Sequence, residues 1–354
     1  MNEDSSLSGR TGRSGVILGD CLEVMRGMAS NSVDLILTDP PYFKVKADWW
    51  DRQWEKPAAF LEWLEQVLSE FQRILKPNGS LYIFASPQMA ARVEVAVSER
   101  FSVLNHIVWR KESTRHKQAE KEMLRSYFPQ TERIIFAEQY GADNRGKGAL
   151  GYKARSDELR GTVFEPLRAY LADEWARAGL TPRDVNIATS SQMSTHYLTA
   201  VQWAMPTPKK YSQLQEYANR NGGAYLQRPY EDIKAEYEVL RERYEAERQH
   251  LNGLRRPFAV TPQIPHTDVW DFPVVQAYAG KHPCEKPLSL LEHIISVSSR
   301  PGAVVFDAFA GSGATGEAAV KLGREFIGCE IQEDWARRAQ RRVQHAQPAL
   351  LGVG

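Results

Sequence analysis

The chain lacks what would let it be stapled, metal-bound or inserted into a membrane. It has three cysteines in 354 residues, Cys21, Cys284 and Cys329. They are too few and too widely spaced for a disulfide framework and contain no C-x-x-C pair, which argues against a disulfide-built secreted fold and a thiolate zinc site. A reducing, cytoplasmic compartment and no structural metal are expected. No apolar run approaches the roughly 20 residues that span a bilayer. The polar start MNEDSSLSGRTGRSG has no apolar core of a signal peptide. An excess of one charge is missing as well: 45 Lys and Arg against 44 Asp and Glu leave +1 at pH 7. Any surface for a polyanion must therefore be local. One local bias exists between Arg100 and Arg125, with seven Lys and Arg against three Glu and with His106 and His116 interleaved. Taken alone, such a run reads as a solvated face or loop.

What is present is ordinary globular material, 42% hydrophobic and 25% charged, enough for one large or two medium domains. From Gly15 to about Gln139, short apolar runs alternate with helical patterns, the mark of parallel βα units. The expected strands are GVILGD at 15–20, VDLILT at 33–38, SLYIFA at 80–85, VLNHIVW at 103–109 and ERIIFA at 132–137. Phe60, Leu64, Val67, Leu68, Phe71 and Leu75 share one helical face, and Lys76-Pro77-Asn78-Gly79 stops that helix. Between about 141 and 265 prolines, glycines and mixed charges replace the strands. That module contains two short helical stretches over Arg183 to Trp203, compatible with a helix-turn-helix or an ordinary helical hairpin. It also contains a charged helix whose seam, Ile233, Tyr237, Leu240 and Tyr244, reads best as packing on its own domain. From His266 the α/β character returns, with strands AVVFDAF and REFIGCEI.

The last segment carries a glycine loop. Strand, then Asp307-Ala308-Phe309-Ala310-Gly311-Ser312-Gly313-Ala314-Thr315-Gly316, then helix, forms a G-x-G-x-x-G whose glycines let backbone approach a ligand at a helix N-terminus. Seventeen residues past Gly313, at the end of the next strand, Glu330 is placed to accept from ribose hydroxyls. A bound nucleoside follows. Only 38 residues come after Gly316, too few for the second half of a dinucleotide-binding sheet. The missing strands must come from the N-terminal segment, so the two α/β stretches are expected to be halves of one seven-stranded sheet. Asp307 before the glycines disfavours a pyrophosphate and suits an ammonium group. An NAD-dependent oxidoreductase is disfavoured accordingly.

DPPY at Asp39-Pro40-Pro41-Tyr42 and FAGSG at 309–313, in that order around a variable module, resemble the DNA amino-methyltransferases of the permuted β class, which methylate exocyclic nitrogens of adenine or cytosine. HPCEKP at 282–287 is similar to that family's HPTEKP; Asp307-Ala308-Phe309 stands for the commoner Asp-Pro-Phe, and GSGAT for GSGTT. Neither change removes a group the ligand needs. The resemblance implies a circularly permuted, Rossmann-like α/β methyltransferase sheet split between residues 1–140 and 266–354, with 141–265 as an inserted, mainly helical target-recognition module. It implies S-adenosylmethionine as cofactor. Asp307, Phe309, Ala310, Gly311, Ser312 and Gly313 would cradle its methionine end, Glu330 its ribose and Asp20 its adenine, with Lys286 near the methionine carboxylate. Asp20 taken alone is a helix cap. Cys284 is not followed by the pattern of a cytosine-C5 nucleophile and is read as packing.

The chemistry implied at DPPY is acceptance of both N–H bonds of an amino group whose lone pair is delocalised into a ring. The Asp39 carboxylate takes one and the Pro40 carbonyl the other, Pro40 and Pro41 hold that carbonyl rigidly, and Tyr42 stacks on the base. Adenine N6 is favoured because Asp rather than Ser begins the motif. Cytosine-N4 methylation is the alternative, and a DNA-binding regulator that keeps the fold without turnover is the alternative from another class. Double-stranded DNA is the implied partner, which would associate the protein with the nucleoid. The family often dimerises and includes members with and without a restriction endonuclease; the sequence does not separate these.

Overall fold

The computed structural model describes residues 14–43, 53–112, 122, 125, 127–140, 145–261 and 266–347. The polar N-terminal stretch and most of the basic run's second half, including Arg115, His116, Lys117 and Lys121, lie outside the described residues. The chain divides into two compact units, 1–149 with 256–354, and 150–255.

The first unit is built on an eight-stranded sheet. Its strands are β1 (Gly15–Leu18), β2 (Val33–Thr38), β3 (Leu75–Ala85), β4 (Ser102–Glu112), β5 (Thr131–Glu138), β6 (Val269–Pro273), β7 (Val304–Asp307) and β8 (Glu325–Glu330), in the order β1-β8-β7-β2-β3-β5-β4-β6. The two strands from the end of the chain sit between β1 and β2, so the separated α/β stretches do form one sheet. Five neighbours from β1 to β3 run parallel, β5 is antiparallel to both β3 and β4, and β6 is parallel to β4. All seven expected strands are present. The eighth, β6, is added at the edge, where Trp109 Nε1 donates to the Phe272 carbonyl at 2.9 Å.

The sheet is covered on both faces, which is why its central strands read as unbroken apolar runs. On one face lie α1 (Cys21–Arg26), α2 (Pro57–Ile74) and α3 (Ala90–Ser98), packing Phe60, Leu64, Val67, Leu68 and Phe71 against Ile36, Leu81 and Ile83. On the other lie α10 (Leu288–Ser298), α11 (Ala314–Lys321) and α12 (Glu333–His345), over Leu35, Leu37, Tyr82 and Phe84. The stop after α2 differs from the expectation. The helix ends at Ile74, Leu75 turns inward as the first residue of β3, and Lys76 to Gly79 are absorbed in a register irregularity against β2. A side chain at Gly79 would collide with the buried Leu75, 2.5 Å away.

The second unit is helical: α4 (Tyr152–Val163), α5 (Glu165–Arg177), α6 (Pro182–Thr189), α7 (Ser194–Leu198), α8 (Pro208–Asn219) and α9 (Tyr230–His250). Its core joins Phe164, Leu167, Leu171, Trp175, Trp203 and Tyr211. Ile233 and Tyr244 of the charged helix are buried in it, with Tyr237 and Leu240 packed alongside. The two short helices expected over 183–203 are α6 and α7. Thr181 and Asp184 form a capping box at the start of α6, and left-handed Ser190 ends it.

Candidate active site

Because β1, β8, β7 and β2 are parallel neighbours, their carboxyl ends open along one edge of the sheet, where ligands of such sheets bind. Asp20 lies two residues past β1, Glu330 closes β8, Asp307 closes β7 and Asp39 follows β2 directly. A cleft at this edge is lined by Asp20, Asp39, Pro40, Pro41, Tyr42, Lys286, Asp307, Phe309, Ala310, Gly311, Ser312 and Glu330. Of the residues expected at the site, Gly313 alone is not on the cleft wall. It caps α11 at φ 76°, and a Cβ there would stand 2.8 Å from the Ala339 Cα, so its role is close passage of the loop under α12.

On the glycine-loop side each acid is held by backbone. Glu330 accepts from Gly311 N at 2.9 Å and from Gln332 N at 2.8 Å, one bond to each oxygen. Burial raises its pKa above the ordinary carboxylate value. Asp20 caps α1, accepting from Leu22 N at 2.9 Å and Glu23 N at 3.3 Å. Asp307 is buried and accepts from Thr38 Oγ1 at 2.8 Å and Phe309 N at 3.1 Å; burial pushes its pKa up to about 6 despite these donors. Sequence reasoning missed the aromatic rim: Trp63 lies 5.7 Å from Phe309, and Trp335 meets His282 edge-on at 4.6 Å. The tryptophans come from α2 and α12, and nothing in their local pattern marks them as rim rather than core.

The charge of the cleft tests which nucleoside suits it. Asp20, Asp39, Glu285, Asp307 and Glu330 line it against the ammonium of Lys286. Carboxylates accept from hydroxyls and ammonium groups and repel phosphates. A nucleoside carrying positive charge, as S-adenosylmethionine does, fits this donor-poor, acid-rich wall.

On the DPPY side Lys286 stands on the cleft wall, and its ammonium bonds Asp39 Oδ2 and lies 3.3 Å from Glu132 Oε2. The side chain is buried, with its charge 4.8 Å from the Phe84 ring centre and 5.4 Å from that of Tyr42. A buried ammonium needs counter-charges, and these two acids are the nearest available. Glu132 was not foreseen: it is one acid at the head of the apolar run ERIIFA, in β5, with β3 between it and β2. It also accepts from the Tyr42 hydroxyl at 3.3 Å and pairs with Lys111. Burial raises the Asp39 pKa, with Lys286 as the largest opposing influence. Burial alone would raise Glu132 too, but Lys286 and Lys111 bring it below the ordinary value. Asp39 Oδ1 is buried and has no hydrogen-bond partner among the described residues. Of the basic run, Arg100 pairs with Glu65, His106 with Glu94, Arg110 with Asp271 and Lys111 with Glu132.

No helix among the described residues is long and apolar enough to cross a membrane. The chain matches a family model described as DNA methylase, of the N6/N4 type, over residues 33–341. It is 26% identical over 334 residues to the DNA adenine methyltransferase YhdJ of Escherichia coli, covering 93% of this chain and 82% of that protein. It is 22% identical over 350 residues to the type II methyltransferase M2.MboI of Moraxella bovis, covering 94% and 88%. Among solved structures, the PvuII cytosine-N4-specific DNA methyltransferase aligns with a TM-score of 0.50 at 12% identity, covering 94% of this chain and 86% of that one, a likeness of fold alone. The family match spans both halves of the sheet and the module between them, and the chain belongs to the N6/N4 DNA methylases, S-adenosylmethionine-dependent DNA amino-methyltransferases.

Proposed function

We propose that the protein methylates the exocyclic N6 of an adenine flipped out of duplex DNA. The observation that carries this reading is Asp39 Oδ1, a buried acceptor with no hydrogen-bond partner among the described residues, next to two rigid prolines and in the same cleft as the acid-held glycine loop. A buried carboxylate oxygen left unpaired is costly unless a donor is meant to arrive. An amino group supplies one: Asp39 Oδ1 accepts one N–H and the Pro40 carbonyl the other, drawing the nitrogen lone pair out of conjugation. Tyr42 stacks on the base. S-adenosylmethionine supplies a methyl group on a positively charged sulfur. The nitrogen lone pair forms the new N–CH3 bond as the S–CH3 bond breaks toward sulfur, and the nitrogen then gives up one proton, with Asp39 placed to take it.

Adenine is supported by the aspartate that opens the motif and by the likeness to a relative named as a DNA adenine methyltransferase. In this reading Asp307, Phe309, Ala310, Gly311 and Ser312 form the methionine cradle, Gly313 shapes the loop behind it, Glu330 takes ribose and Asp20 takes adenine. The helical unit, 150–255, reads the DNA sequence, with α6 and α7 as the segment offered to the bases. Flipping costs a few kcal/mol, offset by protein–DNA contacts. Phosphate contacts make that binding fall steeply with salt. The enzyme works on chromosomal DNA, hence in the nucleoid.

The test is modified-base mapping of DNA from methylation-free cells expressing the protein. N6-methyladenine at one sequence context is the expected result. N4-methylcytosine would reassign the base, and no modification, together with no transfer from labelled cofactor by the purified protein, would leave a non-catalytic DNA-binding regulator. Asp39→Ala should lose transfer by orders of magnitude while binding S-adenosylmethionine nearly as the wild type does.

A further inference from the structure

A line of alternating charge runs from the cleft into the sheet: Asp39, Lys286, Glu132, Lys111. Lys286 is buried, the Asp39 and Glu132 side chains are 19% and 13% exposed, and Lys111 is more exposed on β4. It ties the end of β2 to β5 and β4, although β3 lies between β2 and β5.

Resting on the methyl-transfer reading above, we propose that Lys286 is a positioning residue for that reaction: held in place by Glu132, its ammonium fixes Oδ2 of Asp39, keeps the carboxylate ionised and leaves Oδ1 for the incoming amine. The two oxygens of Asp39 are not equivalent, since Oδ2 carries the ammonium and Oδ1 has no hydrogen-bond partner among the described residues. Only the ionised carboxylate accepts on both oxygens; a protonated Asp39 would present a donor to an amino group that is itself a donor. The groups facing Asp39 are Lys286, Glu132, Tyr42 and Asp307, with Cys284 beside Lys286. Lys286 is the cation among them and the largest influence opposing burial and the neighbouring Glu132, with the Tyr42 hydroxyl as a smaller one. A role in gripping the cofactor carboxylate would draw the ammonium away from Asp39 and Glu132, leaving Lys111, which pairs with Glu132, as the remaining counter-charge and none in contact with Asp39 among the described residues.

The test separates cofactor binding from turnover in the full-length protein with a DNA duplex carrying the mapped site. For Lys286→Met we expect kcat at saturating S-adenosylmethionine to fall about 10- to 100-fold, because the acceptor is mis-set. The cofactor Kd should stay within about threefold, and the acid limb of the kcat profile should move up by about one pH unit or more. Lys286→Arg, which keeps the charge, should return part of kcat and the wild-type acid limb. Glu132→Gln should lower kcat without raising the acid limb, since it removes an acid and leaves the ammonium. Should Lys286→Met prove unstable, the double variant E132Q/K286M removes one charge of each sign and is scored in the same way.

A cofactor Kd weakened in step with kcat/KM, at unchanged kcat, would overturn the proposal and return Lys286 to the cofactor. So would an unchanged acid limb. A wild-type enzyme that transfers no methyl group would instead overturn the functional reading itself, which is a different outcome from any of these.

Discussion

Thr38 donates its hydroxyl to Asp307 Oδ1 at 2.8 Å, joining the last residue of β2 to the last residue of β7 across 269 positions of sequence. The bond ties the strand that carries DPPY to the strand that carries the glycine loop. Both groups are buried, and the donor stabilises the charged form of an acid that burial disfavours. Thr38→Val should therefore destabilise the protein by about 1–3 kcal/mol and weaken S-adenosylmethionine binding. Denaturant melts and calorimetric titration of the cofactor measure both; unchanged values would mean the two strand ends do not depend on this contact.

Asp307 also predicts a pH dependence. Its folded pKa, about 6, lies above the ordinary 3.8, so the folded protein binds the extra proton more readily than the unfolded chain. Stability from this group is full below pH 3.8 and is lost as pH rises through 6, an effect on the order of 3 kcal/mol. Asp307→Asn should flatten the stability profile across that window. Urea midpoints at intervals from pH 4 to 7, compared between wild type and variant, test it, and a slope that persists undiminished assigns it elsewhere.

Two glycines of similar backbone conformation should behave differently. Gly313→Ala puts a Cβ against the backbone of Ala339 at 2.8 Å, so α12 or the loop must shift; a loss of about 2–4 kcal/mol and of cofactor binding is expected. Gly323, at φ 71°, has nothing within 4 Å of such a Cβ, so Gly323→Ala should cost only the strain of its backbone, about 1 kcal/mol, and leave binding alone. Melting temperatures and cofactor titrations of the pair separate crowding from strain.

Glu330→Gln tests how the ribose acid is held. Both carboxylate oxygens accept from backbone N–H groups, so an amide must turn its own donor toward Gly311 N or Gln332 N. Cofactor affinity should fall by about tenfold or more with little change in kcat at saturation. A variant that binds normally would show that neither carboxylate oxygen is needed in its present setting.

Much of this was legible in the sequence because the signals were local or came in strict order. Apolar runs gave the seven strands, and the short tail after Gly316 required strands from the other end of the chain. The acids at Asp20, Asp39, Asp307 and Glu330 could be found because each ends a strand or follows it closely. Lys286 and Glu132 show where such reasoning stops. Which anion a buried lysine meets depends on strand order two positions away, and no spacing encodes that β3 would stand between Asp39 and Glu132. β6 was hidden for a related reason: VWDFP is five residues ending in proline, and it becomes a strand only because β4 offers it a free edge.

The placement of β7 beside β2 also has a consequence for how the chain is made. Leu35 pairs with Val305, 270 residues later. At about 5–20 residues per second a ribosome needs roughly 15–50 s to deliver the second strand after the first. During that interval a buried, apolar central strand has one open flank, an exposed template for any other strand. Synthesis of this enzyme should thus call on holding chaperones until its last hundred residues emerge, and nascent chains stalled before Val304 should aggregate where released full-length chains do not.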